Sequence, residues 1–338
     1  MVNASVSPHI RSGLSTATIM RDVAIALLPP LLFGVFIFGL RALVLILLSA
    51  AVCVLAEFLY EKLMKLPVTV GDGSALVTGL ILAMNLPASA PWWFPVLGGV
   101  FAIVIVKLLF GGIGQNIMNP ALAARCFLII SFPALMGSGF PAVGNLFGPD
   151  AGAAFWQRMT TWTVDATTGA TPLSVLREGE SLDLLQAFLG FHAGCIGETS
   201  AAAILLGALY LFARGVISPR IPAVFTGSTL LFIFLFRLAR GESCGADYML
   251  GQLLCGGLLA GAVYMATDYT TSPITAGGQV IYGVLLGLLT ALFRVFGSAT
   301  EGVSYAIIIG NTLVPLIERV SYPRPFGVRR RVKGGAEK

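Results

Sequence analysis

Ten apolar runs, each closed by charge, glycine or proline, divide most of this chain, at 23–40, 42–60, 74–87, 92–109, 120–138, 199–216, 221–238, 247–266, 278–296 and 302–318. A helix crossing the hydrocarbon core of a bilayer needs about 20 mostly apolar residues. A soluble core of ordinary size has no use for so many such runs. The composition agrees, with 57% hydrophobic and only 11% charged residues, against about 25% charged in soluble domains. The reading is therefore an all-α polytopic membrane protein of about ten transmembrane helices. The third and fifth runs are short enough to be tilted or half-spanning. Forty glycines and eighteen prolines fit close helix contacts and broken helices, which membrane bundles use to line sites.

Charge sets the expected orientation. Past Glu318 the chain carries Arg319, Arg324, Arg329, Arg330, Arg331, Lys333 and Lys338, and cytoplasmic segments are enriched in Lys and Arg. With that end inside, counting back through the runs also puts Arg11, Arg21, Lys62, Lys65, Lys107, Arg214 and Arg220 inside; Arg237 and Arg240 are the misfits. The expected division is a cytoplasmic segment 1–22, a first membrane half 23–138, an extracytoplasmic loop 139–194, a second half 195–318 and a basic cytoplasmic tail 319–338. Five runs per half give the halves opposite orientations, the arrangement of inverted repeats. GDGSAL at 71–76 and GETSAA at 197–202 share a pattern but stand at different places within their halves. The first twenty residues lack the short apolar core and small-residue cleavage site of a signal peptide.

The cysteines (Cys53, Cys126, Cys195, Cys244, Cys255) include no CxxC pair, and the histidines are His9 and His192 alone. A mononuclear zinc or haem site is not expected from such a set. Most of the cysteines read as small buried hydrophobes; Cys195, in HAGCIGETS, also suits a subunit contact or a cluster ligand. The polar loop holds DATTGATPL, where Thr171 follows two residues with almost no side chain, Gly169 and Ala170. That leaves its hydroxyl open to a modifying enzyme. Asp72, Glu198, Asp268 and Glu301 stand at run ends, where acids either mark an ion path or favour a helix N-terminus. Asp72 and Asp268 lead as ion-path candidates because GSALVTG and YTTSPIT supply neutral oxygens of the kind hard cations take. Asn116 and Asn119 offer amide donors and acceptors beside glycines 111, 112 and 114, or else cap a helix starting at Pro120.

SPHIRSGLSTATIM, GDGSALVTGLILAMNLP, FGGIGQNIMNPAL, MATDYTTSPITAGGQVIYG and EGVSYAIIIGNTLVPLIE, in this order and spacing, resemble the RnfD/NqrB family of membrane subunits. RnfD is the better match, because NqrB subunits carry an added segment before the Ser-Pro-His motif, whereas Ser7 here lies almost at the start. The resemblance implies FMN joined to Thr171 through a phosphoester by a flavin transferase, with Asp165, Thr168, Gly169 and Ala170 completing the motif. It also implies a second, non-covalent flavin (riboflavin) near Asn116 and Asn119. The implied activity is electron transfer within an ion-translocating ferredoxin:NAD+ oxidoreductase, moving Na+ or H+ across the bacterial cytoplasmic (inner) membrane. The implied partners are RnfA, RnfB, RnfC, RnfE and RnfG, with ferredoxin and NAD held by the cytoplasmic ones, since this chain has no GxGxxG motif. Beyond these, the expected contacts are membrane lipids, and no nucleic acid. Two alternatives stand beside this reading, an NqrB-type protein feeding quinone and a non-redox channel or secondary transporter.

Overall fold

A computed structural model describes residues 15–137, 140, 156–157, 159–160, 171–178, 182–242, 244–297 and 302–322. Asp165, Thr168, Gly169, Ala170, Glu301 and the cluster Arg329 to Arg331 lie outside the described residues. The described chain is helical, with one isolated bridge between Pro87 and Cys195. In the first half α1 spans Thr16–Phe38, α2 Leu40–Leu63, α3 Ser74–Met84, α4 Trp93–Leu108, α5 Pro120–Ser131 and α6 Pro133–Gly137. Two short helices follow, α7 (Pro172–Arg177) and α8 (Leu184–Leu189). The second half is built from α9 (Ala201–Ala213), α10 (Arg220–Ala239), α11 (Ala246–Leu254), α12 (Leu258–Met265), α13 (Ala276–Phe296) and α14 (Val303–Ser321).

Each of the ten apolar runs is therefore helical, but they are not ten equal spans. Five helices, α1, α2, α10, α13 and α14, are long and apolar enough to cross a bilayer, and α11 with α12 makes a sixth span bent by 54°. The rest are shorter: α3 has 11 residues, α5 has 12 and α9 has 13. At about 1.5 Å per residue such helices cover little more than half of a bilayer core. Local chemistry fixes their ends. The Asn119 side chain accepts from the Ala121 and Leu122 backbone N–H groups, 3.1 and 3.4 Å away, with Pro120 at the first helical position, where its missing N–H costs nothing. Gly73, at φ +79°, turns the chain into α3, a conformation that residues with a Cβ rarely adopt.

The two halves share much of their packing, though the α1–α2 and α3–α4 contacts have no comparable counterpart among the described residues of the second half. In the first, α1 meets α3, α2 meets α3 and α4, and α5 meets α3 and α4. In the second, α9 meets α12, α10 meets α11, α12 and α13, and α14 meets α12 and α13. Corresponding helices also touch across the boundary, α1 with α9 and α5 with α14, as a two-fold relation requires of a self-complementary surface. Polar contacts sort into two ends. At one, Asp22 meets Arg214 at 3.1 Å. At the other, Arg41 donates to the Ser89 carbonyl at 2.6 Å and Arg177 to the Arg294 carbonyl at 3.3 Å. Arg237 and Arg240, out of place on the charge count, both pair with Glu242, at 3.1 and 3.3 Å. Sharing one carboxylate, they are only partly neutralised, which lessens but does not remove their misfit with the charge rule.

The α10–α13 contact is the tightest kind, with Gly283 and Gly287 one turn apart on the face turned to Val224 and Ser228. Small residues at this spacing let backbones approach closely. A Cβ on Gly287 would stand 2.7 Å from the Thr229 backbone nitrogen, whereas one on Gly277 meets nothing within 4 Å. Gly287→Val is expected to cost about 1–3 kcal/mol by overpacking, read as a lower thermal unfolding midpoint in detergent, with Gly277→Ala unchanged.

Candidate functional site

The described candidate residues gather at two places. At the first, Thr171 is the residue before α7, in extended conformation with Pro172 next. Its side chain does not cap the helix; the hydroxyl lies 3.4 Å from Ser174 Oγ, which itself donates to the Thr171 carbonyl at 2.7 Å. Half-buried, Thr171 edges a small crevice of about 270 Å³ shared with His192, Cys195, Glu198, Gly256 and Gly257. That space falls below the roughly 300–1,000 Å³ of ligand pockets. Thr171 thus stands at the edge of a small space and not on the floor of a socket.

Glu198, at the back of this crevice, is neither a free acid nor a solvated helix start. It is buried and paired with Arg125 of α5 at 2.7 Å. The Arg125 guanidinium also donates to Asn85 Oδ1 at 2.6 Å and Ser304 Oγ at 2.9 Å, and reaches Cys195 Sγ at 3.7 Å. Cys195 is accordingly a buried neighbour of a cation. Arg125 escaped the sequence reading, though a lone arginine inside the run 120–138 was the available signal, because charge is expensive in a membrane segment. Nearby, Arg294 donates to the Gln252, Cys255 and Gly256 carbonyls at 2.5, 3.1 and 3.0 Å. These are carbonyls released where α11 breaks from α12, and buried backbone groups need partners.

At the opposite end a crevice of about 790 Å³, counting its open mouth, brings together Asn116, Asn119, Asp268 and Asp72's neighbour Ser74. Its apolar wall includes Ile19, Val23, Val77 and Leu211. Asn119 caps α5 and also lines this space, with its Nδ2 3.4 Å from the Met265 carbonyl. Asn116 donates to Thr270 Oγ1 at 3.0 Å. Asp268 sits in the connection after α12 and accepts from the Thr270 and Thr271 hydroxyls at 3.0 and 3.1 Å. Burial pushes its carboxyl above the usual range, and the hydroxyl donors pull the other way. Asp72, half-buried, accepts from the Ser74 backbone N–H at 2.8 Å and from its hydroxyl at 2.6 Å at the start of α3, and is joined to the crevice only through Ser74.

The sequence reading placed Lys107 only as a positive-inside charge and passed over Glu57 and Glu61. Lys107 Nζ is buried, 2.7 Å from Glu57 Oε1, and donates to Ser74 Oγ at 2.6 Å. Glu61, one turn on, is also buried and accepts from the Thr69 hydroxyl and backbone N–H. Lys107 lies in a π-helical stretch, Phe101–Leu108, and a second such stretch, Gly261–Met265, faces the same crevice through Val263 and Tyr264. π-Helical turns are rare and occur frequently at functional sites.

Truncating one partner of a buried ion pair leaves the other charge uncompensated, which typically costs about 3–5 kcal/mol, whereas removing both is often neutral. Arg125→Met alone is expected to lower the unfolding midpoint sharply, and Arg125→Met with Glu198→Gln to recover most of it, measured by thermal unfolding of the purified protein.

Comparison with known proteins places this architecture. The chain is 45% identical to the D subunit of the Na(+)-translocating ferredoxin:NAD(+) oxidoreductase complex of Acetobacterium woodii, over 97% of this chain and 96% of the relative. It is 38% identical to the D subunit of the proton-translocating ferredoxin:NAD(+) oxidoreductase complex of Clostridium ljungdahlii, over 96% of each. The D subunit of the ion-translocating oxidoreductase complex of Aliivibrio salmonicida is 36% identical, over 96% of this chain and 98% of the relative. The model of the NQR2, RnfD, RnfE family matches residues 3–327. With nearly the whole length matched, the chain belongs to the NQR2, RnfD, RnfE family as an RnfD-type member.

Proposed function

We propose that this chain is the membrane subunit of an ion-translocating ferredoxin:NAD+ oxidoreductase complex, carrying FMN as a phosphoester on Thr171. The observation that carries the proposal is the state of Thr171: it closes the sequence DATTGAT, yet its hydroxyl does not cap α7 and edges a crevice. A tether needs only such a hydroxyl, since the isoalloxazine supplies the electron chemistry and the protein supplies attachment and orientation. A flavin transferase would form the bond. The loop 139–194 would then lie on the outer face and the larger crevice on the cytoplasmic side, near Lys62 and Lys65. The partners in this reading are RnfA, RnfB, RnfC, RnfE and RnfG in the bacterial cytoplasmic membrane.

The larger crevice suits a second, non-covalent flavin. It is an open-mouthed crevice with about 790 Å³ of free space, solvent at the mouth included. Its lining joins an apolar wall to the amides of Asn116 and Asn119, which can both donate to and accept from a flavin edge. Asp268, with the hydroxyls of Thr270 and Thr271 around it, is the acid best equipped to hold the translocated ion, because carboxylate and neutral oxygens together suit a hard cation and a lone carboxyl suits a proton. The names of relatives at 45% and 38% identity specify Na+ and proton respectively, so overall similarity at this level does not select the ion.

Intact-mass and peptide analysis after expression with the transferase is expected to find FMN on the peptide containing Thr171 and none in Thr171→Ala. An unmodified peptide, with the transferase active on another target, overturns the covalent reading. In the assembled complex, Asp268→Asn is expected to lower ion transport into proteoliposomes by at least about tenfold while FMN on Thr171 is retained; unchanged transport would remove Asp268 from the ion path.

A further inference from the structure

Lys107 is a buried ammonium in an apolar bundle, and it forms part of the wall of the larger crevice. Its hydrogen bonds run in two directions. One goes to the Glu57 carboxylate, at 2.7 and 2.9 Å; the other goes to Ser74 Oγ at 2.6 Å, which passes on to Asp72 Oδ1 at 2.6 Å. Asp72 is the half-buried outer member and Lys107 the buried inner one, so the chain Asp72–Ser74–Lys107 leads from the protein's edge to the crevice. A structural ion pair needs only Glu57. The added hydroxyl link, and the position of the ammonium on a cavity wall within a π-helical turn, are unexplained by pairing alone.

We propose that Lys107 is the proton donor to a redox ligand in this crevice, refilled through Ser74 from Asp72, and this rests on the reading of the crevice as a flavin site. The physical need is plain. A negative charge placed on a ring in a largely apolar, buried space is costly unless it is neutralised there. One electron, supplied by a reduced flavin or iron–sulfur centre of the complex, and one proton from Lys107 leave the ring without net charge. In that step an N–H bond of Lys107 breaks and an N–H bond forms on the ring. The lysine, left as a neutral amine beside the Glu57 carboxylate, takes a proton from the Ser74 hydroxyl as Ser74 takes one from Asp72, whose carboxylate has first been protonated from water and is left ionised again. The titratable groups facing Lys107 are Glu57 and Cys53 from α2 and Asp72 through Ser74, with Asp268 and Tyr264 elsewhere on the crevice lining. Glu61 lies one turn beyond Glu57.

The experiment compares three variants in the purified complex: Lys107→Arg, Lys107→Met with Glu57→Gln, and Ser74→Ala. Arginine keeps the charge and the pairing but does not release its proton in proteins; the double variant removes the pair without leaving a bare carboxylate. Non-covalent flavin is quantified by acid extraction, and its reduction is followed by rapid mixing from pH 6 to 9, with and without added methylammonium. The expected result is flavin content near that of the unaltered protein and a reduction rate at least about tenfold slower in Lys107→Arg and in the double variant. Methylammonium is expected to restore the double variant in part, and Ser74→Ala to slow reduction to a lesser degree. A flavin-loaded Lys107→Arg or double variant with the unaltered rate and pH profile overturns the role of Lys107 while leaving the flavin site standing. Absence of non-covalent flavin from the unaltered complex overturns the flavin site, and this role with it.

Discussion

The Arg125 guanidinium is the contact on which the two halves most depend. It is buried, rises from α5 in the first half, and donates to Glu198 and Ser304 in the second half as well as to Asn85 at the end of α3. In a medium without water, each of these groups would otherwise carry a desolvation cost of its own. Pairing them around one cation converts several costs into a single satisfied network, and such a network has few alternative geometries. The consequence is a fixed register between α3, α5, α14 and the turn that leads into α9, because the bonds are short and directional in a way that apolar packing is not.

The shortness of several helices follows from the same constraint. α3 begins at Ser74, on the larger crevice, and ends at Asn85, on the Arg125 network. Asn119 at the head of α5 lines the crevice, and Arg125 lies less than two turns further on. α9 follows Glu198 and reaches the crevice at Leu211; α12 follows Gly257, beside Glu198, and reaches it at Val263 and Tyr264. Four short helices therefore run between the same two polar places. An interrupted helix exposes unsatisfied backbone groups, which membrane proteins tolerate where protein or a cavity supplies partners. Arg294 does this at the α11–α12 break, and Asn119 at the head of α5.

The positions of the helices were legible in the sequence because membrane solvation acts on every residue, so run length and charge carry the signal. The short fifth run and the glycine-rich approach to Pro120 already marked a partial helix. Thr171 was legible as a candidate attachment point for a different reason, since its neighbours Gly169 and Ala170 form a local pattern that needs no tertiary information. Glu198 was not. As a carboxylate at the head of a run it is indistinguishable, in one dimension, from a solvated helix start, and its meaning comes from an arginine 73 positions earlier in the chain. Lys107 was hidden similarly: at the end of a run it passes for a positive-inside charge, and only the fold brings Glu57, 50 positions away, against it.

The two buried ion pairs differ in a way that separates their roles. Arg125 binds groups from both halves and sits behind the crevice of Thr171, where the α11–α12 break also lies. Guanidinium is always charged and its planar fork suits several fixed acceptors, so this pair is built to hold geometry. Lys107–Glu57 lies wholly within the first half, and its cation is an ammonium on a flexible stem that can exchange a proton. Residues of short helices connect the places where the two pairs sit, with α3 running from Ser74, bound to Lys107, to Asn85, bound to Arg125. At about 1.5 Å per residue, the 11 residues of α3 rise roughly 17 Å between these two attachment points. α3 is thus a single helix whose two ends are both hydrogen-bonded in place, one to each pair.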